Sequence, residues 1–571
     1  MSVAPATTLP LSGSRAGAGR AGGWLAGVLL VIVCLAVYLP GFVALPPVDR
    51  DESRFAQASR QMGESGDLVI PRVLGKPRLN KPPLIYWLQS ASAAAFTGGD
   101  FSRDAIWMYR VPSLLGAILA VLLTWRLGCA LFDPRAALLA GVVLAICPVI
   151  AWEARQARAD MVLVALCVGA TWALWRVLKR ASIARAMLLW VVVGLGVLIK
   201  GPVTPMIVLL TIAGLCLLER SLRPLARARP LLGLGVVCLM VLPWVILVAL
   251  RVGLGEYAAI VFDETLGRSL EPKEGHAGPP GYHALLAFAI FFPGSLWIVA
   301  GVGRALRHGL AFPREGSRWR RLCGVRAAHG PEAFLLCALV PAWVVFELVS
   351  TKLPHYTMPL LPVLALLAAR AALGSGSPSM AWLRSAWVAH GVRAWVVLGV
   401  GLGASVGMLG WLAVTEGRAW GWIVIAIAAA ASLAFAIGGV GLVSRRDYST
   451  LLFRGVWLCV ALLFLIGVTL PRVQAPWVVK RLVDIAASVG PDRPLVFVVL
   501  HEDSAVFLTR GTAQWVNAAD LDAWLDANPN GLVVIPESPD TRQALYAHAR
   551  VSGFNYPKGK AGTWLLAERA P

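Results

Sequence analysis

Between Asp49 and Lys81 the chain concentrates groups that could handle a proton and a phosphate. Asp49-Arg50-Asp51-Glu52-Ser53-Arg54 comes just after an apolar run that ends at Leu45, and Lys81 precedes Pro82-Pro83 and the aromatic pair Tyr86-Trp87. A carboxylate can take a proton from an attacking hydroxyl while a nearby cation receives a departing phosphate. Three further places offer the same chemistry. Arg155-Gln156-Ala157-Arg158-Ala159-Asp160 leads straight into an apolar run, Lys200 closes another, and Lys352-Leu353-Pro354-His355-Tyr356 separates two more. Glu347 lies inside an apolar run, where an acid is expensive and so a candidate for function. Each has a plainer reading. Asp49, Asp51 or Asp160 could cap a helix start. Lys81, Tyr86 and Trp87 could anchor the chain at lipid headgroups. Asp49-Arg50-Asp51 also has the DxD spacing of nucleotide-sugar enzymes, but three residues specify little and nucleotide sugars are cytosolic.

The elements that must position these residues follow from composition. Hydrophobic residues make up 58% and charged residues 15%, with a mean hydropathy of +0.70. Repeated apolar runs of about 20 residues mark a polytopic membrane protein. A net charge of +21 would point to nucleic acid in a soluble chain. Here arginine collects in short loops between apolar runs, which points instead to orientation in a membrane and to no nucleic-acid partner. Eight of the nine cysteines lie in apolar runs and Cys323 in a basic loop. With no CxxC and no Cys/His cluster, neither a disulfide framework nor a zinc-thiolate site is expected. Arg15 and Arg20 precede the first run, which is long and lacks a small-x-small cleavage end, so it reads as a retained helix.

Thirteen apolar runs can be drawn, at 23–45, 108–132, 136–152, 160–178, 187–199, 203–218, 231–250, 283–303, 331–350, 357–372, 394–414, 420–443 and 450–470. Alternate loops are basic, notably the cluster from Arg304 to Arg326, and basic short loops stay cytoplasmic. The opposite set, 46–107, 153–159, 200–202, 251–282, 351–356 and 415–419, is then external and holds nearly all the candidate residues. Loop 46–107 carries many basic residues against that trend and so needs a functional reason. The expected organisation is a polar tail over 1–22, a transmembrane domain over 23–470 with external loops at 46–107 and 251–282, and an external α/β domain over 471–571. In the last, helices are expected at 478–489, 521–525 and 541–549 and strands at 495–500, 531–535 and 563–567. It contains no nucleotide fingerprint. A surface helix from Asp51 to about Met62 would put Asp51, Phe55 and Ala58 on one face.

Several of these segments, in this order, resemble the lipid-carrier-dependent glycosyltransferases of family 39, the protein O-mannosyltransferase superfamily, and within it the bacterial lipid A aminoarabinose transferase group. The matching stretches are "DESRFAQASRQMGESGDLVIPRVLGKPRLNKPPLIYW" (51–87), "YRVPSLLGAI" (109–118), "ARADMVLVAL" (157–166), "LIKGPV" (198–203) and "TKLPHYTMPLLPVLALL" (351–367). The resemblance implies a GT-C fold of about thirteen transmembrane helices in a bacterial inner membrane. It also implies a polyprenyl-phosphate sugar donor, often undecaprenyl phosphate-linked, and a periplasmic acceptor on lipid A or another envelope glycolipid. It makes Asp51 the catalytic carboxylate, with Glu52 in the same motif and Asp160 at the next external turn. Arg54, Lys81 and Tyr356 would contact the donor phosphate, with Lys352 and Lys200 as further contributors. The family usually carries an acid before the motif lysine, implicated in metal coordination with a loop histidine. Here that position is Asn80, and the histidine candidate is His276. An amide brings no charge to a zinc site, so activity is expected not to require zinc; a divalent metal stays an alternative with His276 as its candidate ligand, and no other cofactor is indicated. The competing class is a transporter or lipid flippase, but transporters place coupling residues near the midplane, within inverted repeats and broken helices.

Overall fold

The computed structural model describes residues 18–267, 278–311, 325–327, 330–375, 378–538, 545–555 and 559–570. Among these, eight helices are long and apolar enough to cross a membrane: Ile106–Leu131, Asp160–Lys179, Ile183–Lys200, Pro230–Val252, Gly330–Leu348, Ala386–Thr415, Trp420–Arg445 and Tyr448–Arg472. Shorter apolar helices cover Gly23–Tyr38, Pro134–Ala145, Val203–Glu219 and Met358–Leu373. The remaining apolar run, 283–303, is broken. Helix Tyr282–Ile290 stops before Phe291-Phe292-Pro293-Gly294, and a new helix runs over Ile298–Gly309. Pro293 lacks an N–H and disfavours helical backbone at the residue before it, so the break is local chemistry. Leu231, Leu239 and Leu250 on helix Pro230–Val252 are exposed, as lipid-facing side chains must be. The chain is a multi-pass membrane protein.

Two contacts inside the bundle matter for the site. Helix Ile106–Leu131 lies so close to the start of Asp160–Lys179 that a Cβ on Gly116 would stand 2.8 Å from the Val162 nitrogen. A glycine allows such backbone-to-backbone approach, and it brings Asp160 against the helix that carries Arg110. Where the first and last apolar helices end, Gly41 meets the Gly467 carbonyl, and a Cβ there would lie 2.1 Å from that oxygen.

The C-terminal segment forms a five-stranded sheet in the order Gln514–Val516, Leu495–Val498, Leu532–Pro536, Lys560–Arg569, Leu545–Asn555. The first three strands are parallel and the last two join as an antiparallel hairpin. Helices Val478–Val489 and Leu521–Ala527 follow the expected pattern. The helix expected over 541–549 is instead strand Leu545–Asn555, paired along its length with Lys560–Arg569. Only Val551 and Asn555 on it are buried, so it is an edge strand with no alternating apolar face to read. Its pairing partner, not its propensity, decides its state. A short helix, Ser504–Leu508, lies outside the expected pattern and docks on the 46–107 loop.

That docking surrounds Glu502, which is buried. Burial, together with Asp49 and Asp503, pushes its carboxyl up to about 8 against a hydrogen bond from Ser504. Asp49, whose Oδ1 accepts from the Ser504 N–H at 3.1 Å, is raised too, by burial first and Asp503 second. Folded Glu502 therefore keeps a proton that the unfolded chain loses near its ordinary 4.5. Stability must fall as pH rises between those two values and level off above the higher one. Thermal unfolding midpoints in detergent should drop between about pH 5 and pH 8, and Glu502→Gln should remove most of that drop. Equal pH dependence in wild type and variant would contradict this.

Candidate active site

Helix Asp51–Ser65 starts the site. Arg50 precedes it with φ 63° and makes no side-chain cap. The start is held instead by Glu52, whose Oε2 accepts from the Val48 N–H at 2.7 Å, and by Ser53, whose hydroxyl donates to the Val48 carbonyl at 2.7 Å. Asp51 is thereby spared from capping. Its Oδ2 accepts from Arg158 Nη2 at 2.9 Å, and its Oδ1 lies 4.0 Å from Arg78 Nη2. Burial raises the Asp51 carboxyl, but Arg158 and Arg78 outweigh it and hold the group below the usual carboxylate range.

Arg158 is the hub. It also donates to Glu153 Oε1 at 2.9 Å and lies 3.9 Å from Asp160 Oδ2. Burial works against its charge, yet Glu153, Asp160 and Asp51 together strengthen its hold on the proton. Asp160 opens helix Asp160–Lys179 and receives Lys200 Nζ at 2.6 Å. Lys200 stands 5.8 Å from the centre of the Tyr356 ring. Next to Tyr356, burial drives His355 down to about 3 despite Asp160, so its imidazole is neutral at physiological pH. Asp51, Asp160, Lys200 and Tyr356, drawn from four separate segments, thus meet. Three carboxylates face three cations, Arg78, Arg158 and Lys200.

Glu52, expected beside the catalytic carboxylates, makes its contacts elsewhere. Glu52 and Arg110 are both fully buried side chains. Arg110 Nε and Nη2 donate to the two Glu52 oxygens at 2.7 and 2.9 Å, and the Ala157 N–H donates to Oε1 at 2.8 Å. The rest of the Arg110 guanidinium serves the carbonyls of Phe42, Leu45 and Pro46. Both oxygens of Glu52 are occupied, and its neighbour on the far side is the turn that carries Arg158.

The other candidates lie around this centre. Lys81 Nζ donates to Glu264 Oε2 at 2.8 Å and the Asn80 amide to Glu264 Oε1 at 3.0 Å. Tyr86 is within electrostatic reach of both Asp51 and Glu264, which places the Lys81 group beside the centre. Arg54 pairs with Asp503 of the C-terminal domain at 2.8 Å. Lys352 donates to the Gly278 carbonyl at 3.0 Å. Glu347 accepts from the N–H groups of Gly281 and Ala284, capping helix Tyr282–Ile290, so this acid within an apolar run is structural in its visible contacts. His276 lies outside the described residues. Among the described residues no three or more His, Cys, Asp or Glu side chains gather as metal ligands. The Asn80 pair fits a metal poorly: one neutral amide donates an N–H to a carboxylate that an ammonium already shares.

Sequence reasoning quoted Arg158 within the Asp160 stretch without giving it a role, and passed over Arg78, Glu153 and Glu264. Arg78 carried a signal, sitting three residues before Lys81. Glu153 and Glu264 carried none.

With this geometry in view, the crystal structure of ArnT from Cupriavidus metallidurans bound to undecaprenyl phosphate superposes with a TM-score of 0.69 at 22% identity, over 96% of this chain and 98% of that one. The chain has the GT-C fold. The archaeal oligosaccharyltransferase AglB from Archaeoglobus fulgidus shares the GT-C arrangement more distantly, with a TM-score of 0.52 at 12% identity over 96% of this chain and 74% of that one. Residues 80–247 match the dolichyl-phosphate-mannose-protein mannosyltransferase family. An undecaprenyl phosphate-alpha-4-amino-4-deoxy-L-arabinose arabinosyl transferase of Edwardsiella ictaluri is 27% identical over 354 residues, 61% of this chain and 59% of that protein. The matched part of this GT-C chain therefore spans about three fifths of that relative's length.

The Glu52–Arg110 pair should behave as a buried ion pair. Arg110→Met leaves a carboxylate stranded and should cost about 3–5 kcal/mol, whereas Glu52→Gln combined with Arg110→Met should recover part of the loss. Unfolding in mild denaturing detergent measures both. A loss below about 1 kcal/mol for Arg110→Met would show that the pair holds little.

Proposed function

We propose that this chain is an integral membrane glycosyltransferase that moves a sugar from a polyprenyl-phosphate donor to an envelope glycolipid, with lipid A as the leading acceptor. The observation that carries this reading is the convergence of Asp51, Arg158, Asp160, Lys200 and Tyr356 at one end of a GT-C bundle, matched in fold by a structure holding undecaprenyl phosphate. The similarity to aminoarabinose transferases supports the donor class.

In the proposed reaction an acceptor oxygen attacks the anomeric carbon as the carbon–oxygen bond to the donor phosphate breaks, in a single inverting displacement. Where the acceptor is a hydroxyl, Asp51 takes its proton. Arg158 and Arg78 keep Asp51 ionised in the resting site, and its basicity rises when Arg158 turns toward arriving phosphate. The phosphate leaves already ionised and needs cations rather than a proton donor. Lys81 and Arg158 supply them, with Lys200 held ready by Asp160. Lys352 and Tyr356 line the donor side, and Arg54 ties the catalytic helix to the C-terminal domain. Glu52 positions this machinery without touching substrate, and no step is routed through a metal.

Asp51→Asn should lower single-turnover transfer by about 100- to 10,000-fold while the donor still binds. Lys81→Ala should weaken donor binding as well as slow transfer, because its charge meets the phosphate in both ground and transition states. The substrate is a polyprenyl-phosphate sugar in nanodiscs without an ion gradient. Near-normal turnover by Asp51→Asn would move the base role to Asp160, and absence of any transfer by wild type would count against the enzyme reading.

We also infer that the site and the C-terminal domain face the periplasm of a bacterial inner membrane, with the N-terminus inside. The support is the arginine in the loops at the opposite ends of the helices, including Arg304, Arg384 and Arg445-Arg446. A reporter fused after Pro571 that works only in the periplasm is the expected result, and one active only in the cytosol would reverse the orientation.

A further inference from the structure

At the far end of the bundle from Asp51 there is a cavity of about 420 Å³. Two helices fix its place. Met358–Leu373 starts beside Tyr356 and ends at Gly374, next to Ser375 in the cavity wall. Tyr448–Thr469 starts in the cavity wall and ends where Leu463 and Gly467 approach Arg155, 22 residues and so about 33 Å away.

The wall is built of donors. Trp297 and Tyr448 are 2% and 4% exposed, and neither the indole N–H nor the phenol oxygen has a hydrogen-bond partner among the described residues. The exposed guanidinium groups of Arg384 and Arg446 edge the same cavity. The hydroxyls of Ser375 and Ser449 stand 3.1 Å apart in its wall. The one carboxylate present, Asp447, is turned to its own helix, where Oδ1 accepts from the Thr450 N–H at 3.1 Å. An indole and two guanidiniums can only donate. Two guanidinium groups against one carboxylate leave the wall net positive, which fits an anion, and the buried unpartnered donors are costly until something accepts from them.

We propose that this cavity binds the phosphodiester headgroup of an anionic glycerophospholipid, as a second phosphate site distinct from the donor site. The setting selects a lipid over a free ion. The cavity is lined by residues at the ends of apolar helices, and the outer faces of the two neighbouring spans remain exposed at Val397, Ile437 and Val440. Trp387, 86% exposed, stands at the start of one of them, at the depth where tryptophan meets headgroups. The acyl chains lie along those faces while the phosphate reaches Arg384, Arg446 and Tyr448. Basic pockets between membrane helices take anionic headgroups in this way.

The test is native mass spectrometry of the full chain in detergent, titrated with dioctanoyl-phosphatidylglycerol, dioctanoyl-phosphatidylcholine or inorganic phosphate. Phosphatidylglycerol should bind saturably and phosphatidylcholine should not. Arg384→Gln with Arg446→Asn should weaken phosphatidylglycerol binding by about ten-fold or more, since each removes a charge-assisted contact. Asn tolerates the positive φ of 58° at position 446. Tyr448→Phe, which keeps the packing, should weaken it by about three-fold and serves if the double variant fails to fold. Lys81→Ala should bind phosphatidylglycerol as wild type does. Equal binding of both lipids, wild-type affinity in both cavity variants, or displacement of the lipid by inorganic phosphate at equal concentration would each overturn the proposal.

Discussion

A single buried ion pair organises the site. Arg110 comes from a membrane helix and Glu52 from the loop after the first apolar helix, and neither has access to water. Two such charges are far too costly to bury apart, so wherever the chain folds they must meet. Meeting, they fix three things at once. The loop 42–48 is held through its carbonyls, helix Asp51–Ser65 starts at Asp51 and not elsewhere, and the turn before Asp160 is docked through the Ala157 N–H. Asp51 and Arg158 then face each other because both are adjacent in sequence to atoms gripped by Glu52.

Around that fixed point the charges are balanced rather than merely dense. Asp51, Glu153 and Asp160 are answered by Arg78, Arg158 and Lys200, and Arg158 shares itself among all three acids. Such a site is stable without substrate, yet its bonds are exchangeable. In the proposed reaction an incoming phosphate would offer the guanidinium and ammonium groups another partner of the same sign as the carboxylates they leave. The neutral His355 adds no charge to disturb this balance.

Much of this was legible in the sequence because membranes impose simple rules. Apolar runs of spanning length, arginine in alternate loops and the grouping of Asp51, Lys81, Asp160, Lys200 and Tyr356 between the runs or at their ends all follow from the cost of polar groups in lipid. What escaped was whatever depended on a distant partner. Nothing in "DE" says that Asp51 turns to Arg158 and stays half-exposed while Glu52 points into the core, since that is decided by Arg110, 58 residues away. Glu264 meets Lys81 across 183 residues. Strand Leu545–Asn555 has no face of its own to read, because its partner strand alone makes it a strand.

Arg60 shows how far such dependence reaches in time. It lies buried in helix Asp51–Ser65, bound to Asp104 by two nitrogens, and it also donates to the Phe507 carbonyl, 447 residues further along the chain. Synthesis runs from N- to C-terminus, so the loop bearing Asp51 is made early and the segment that packs on it, around Phe507, almost last. Until residue 507 has emerged, Arg60 keeps one unfilled bond and Arg54 lacks Asp503. The loop cannot reach its finished shape on an incomplete chain, so the order of translation itself keeps a half-made protein from presenting a completed site.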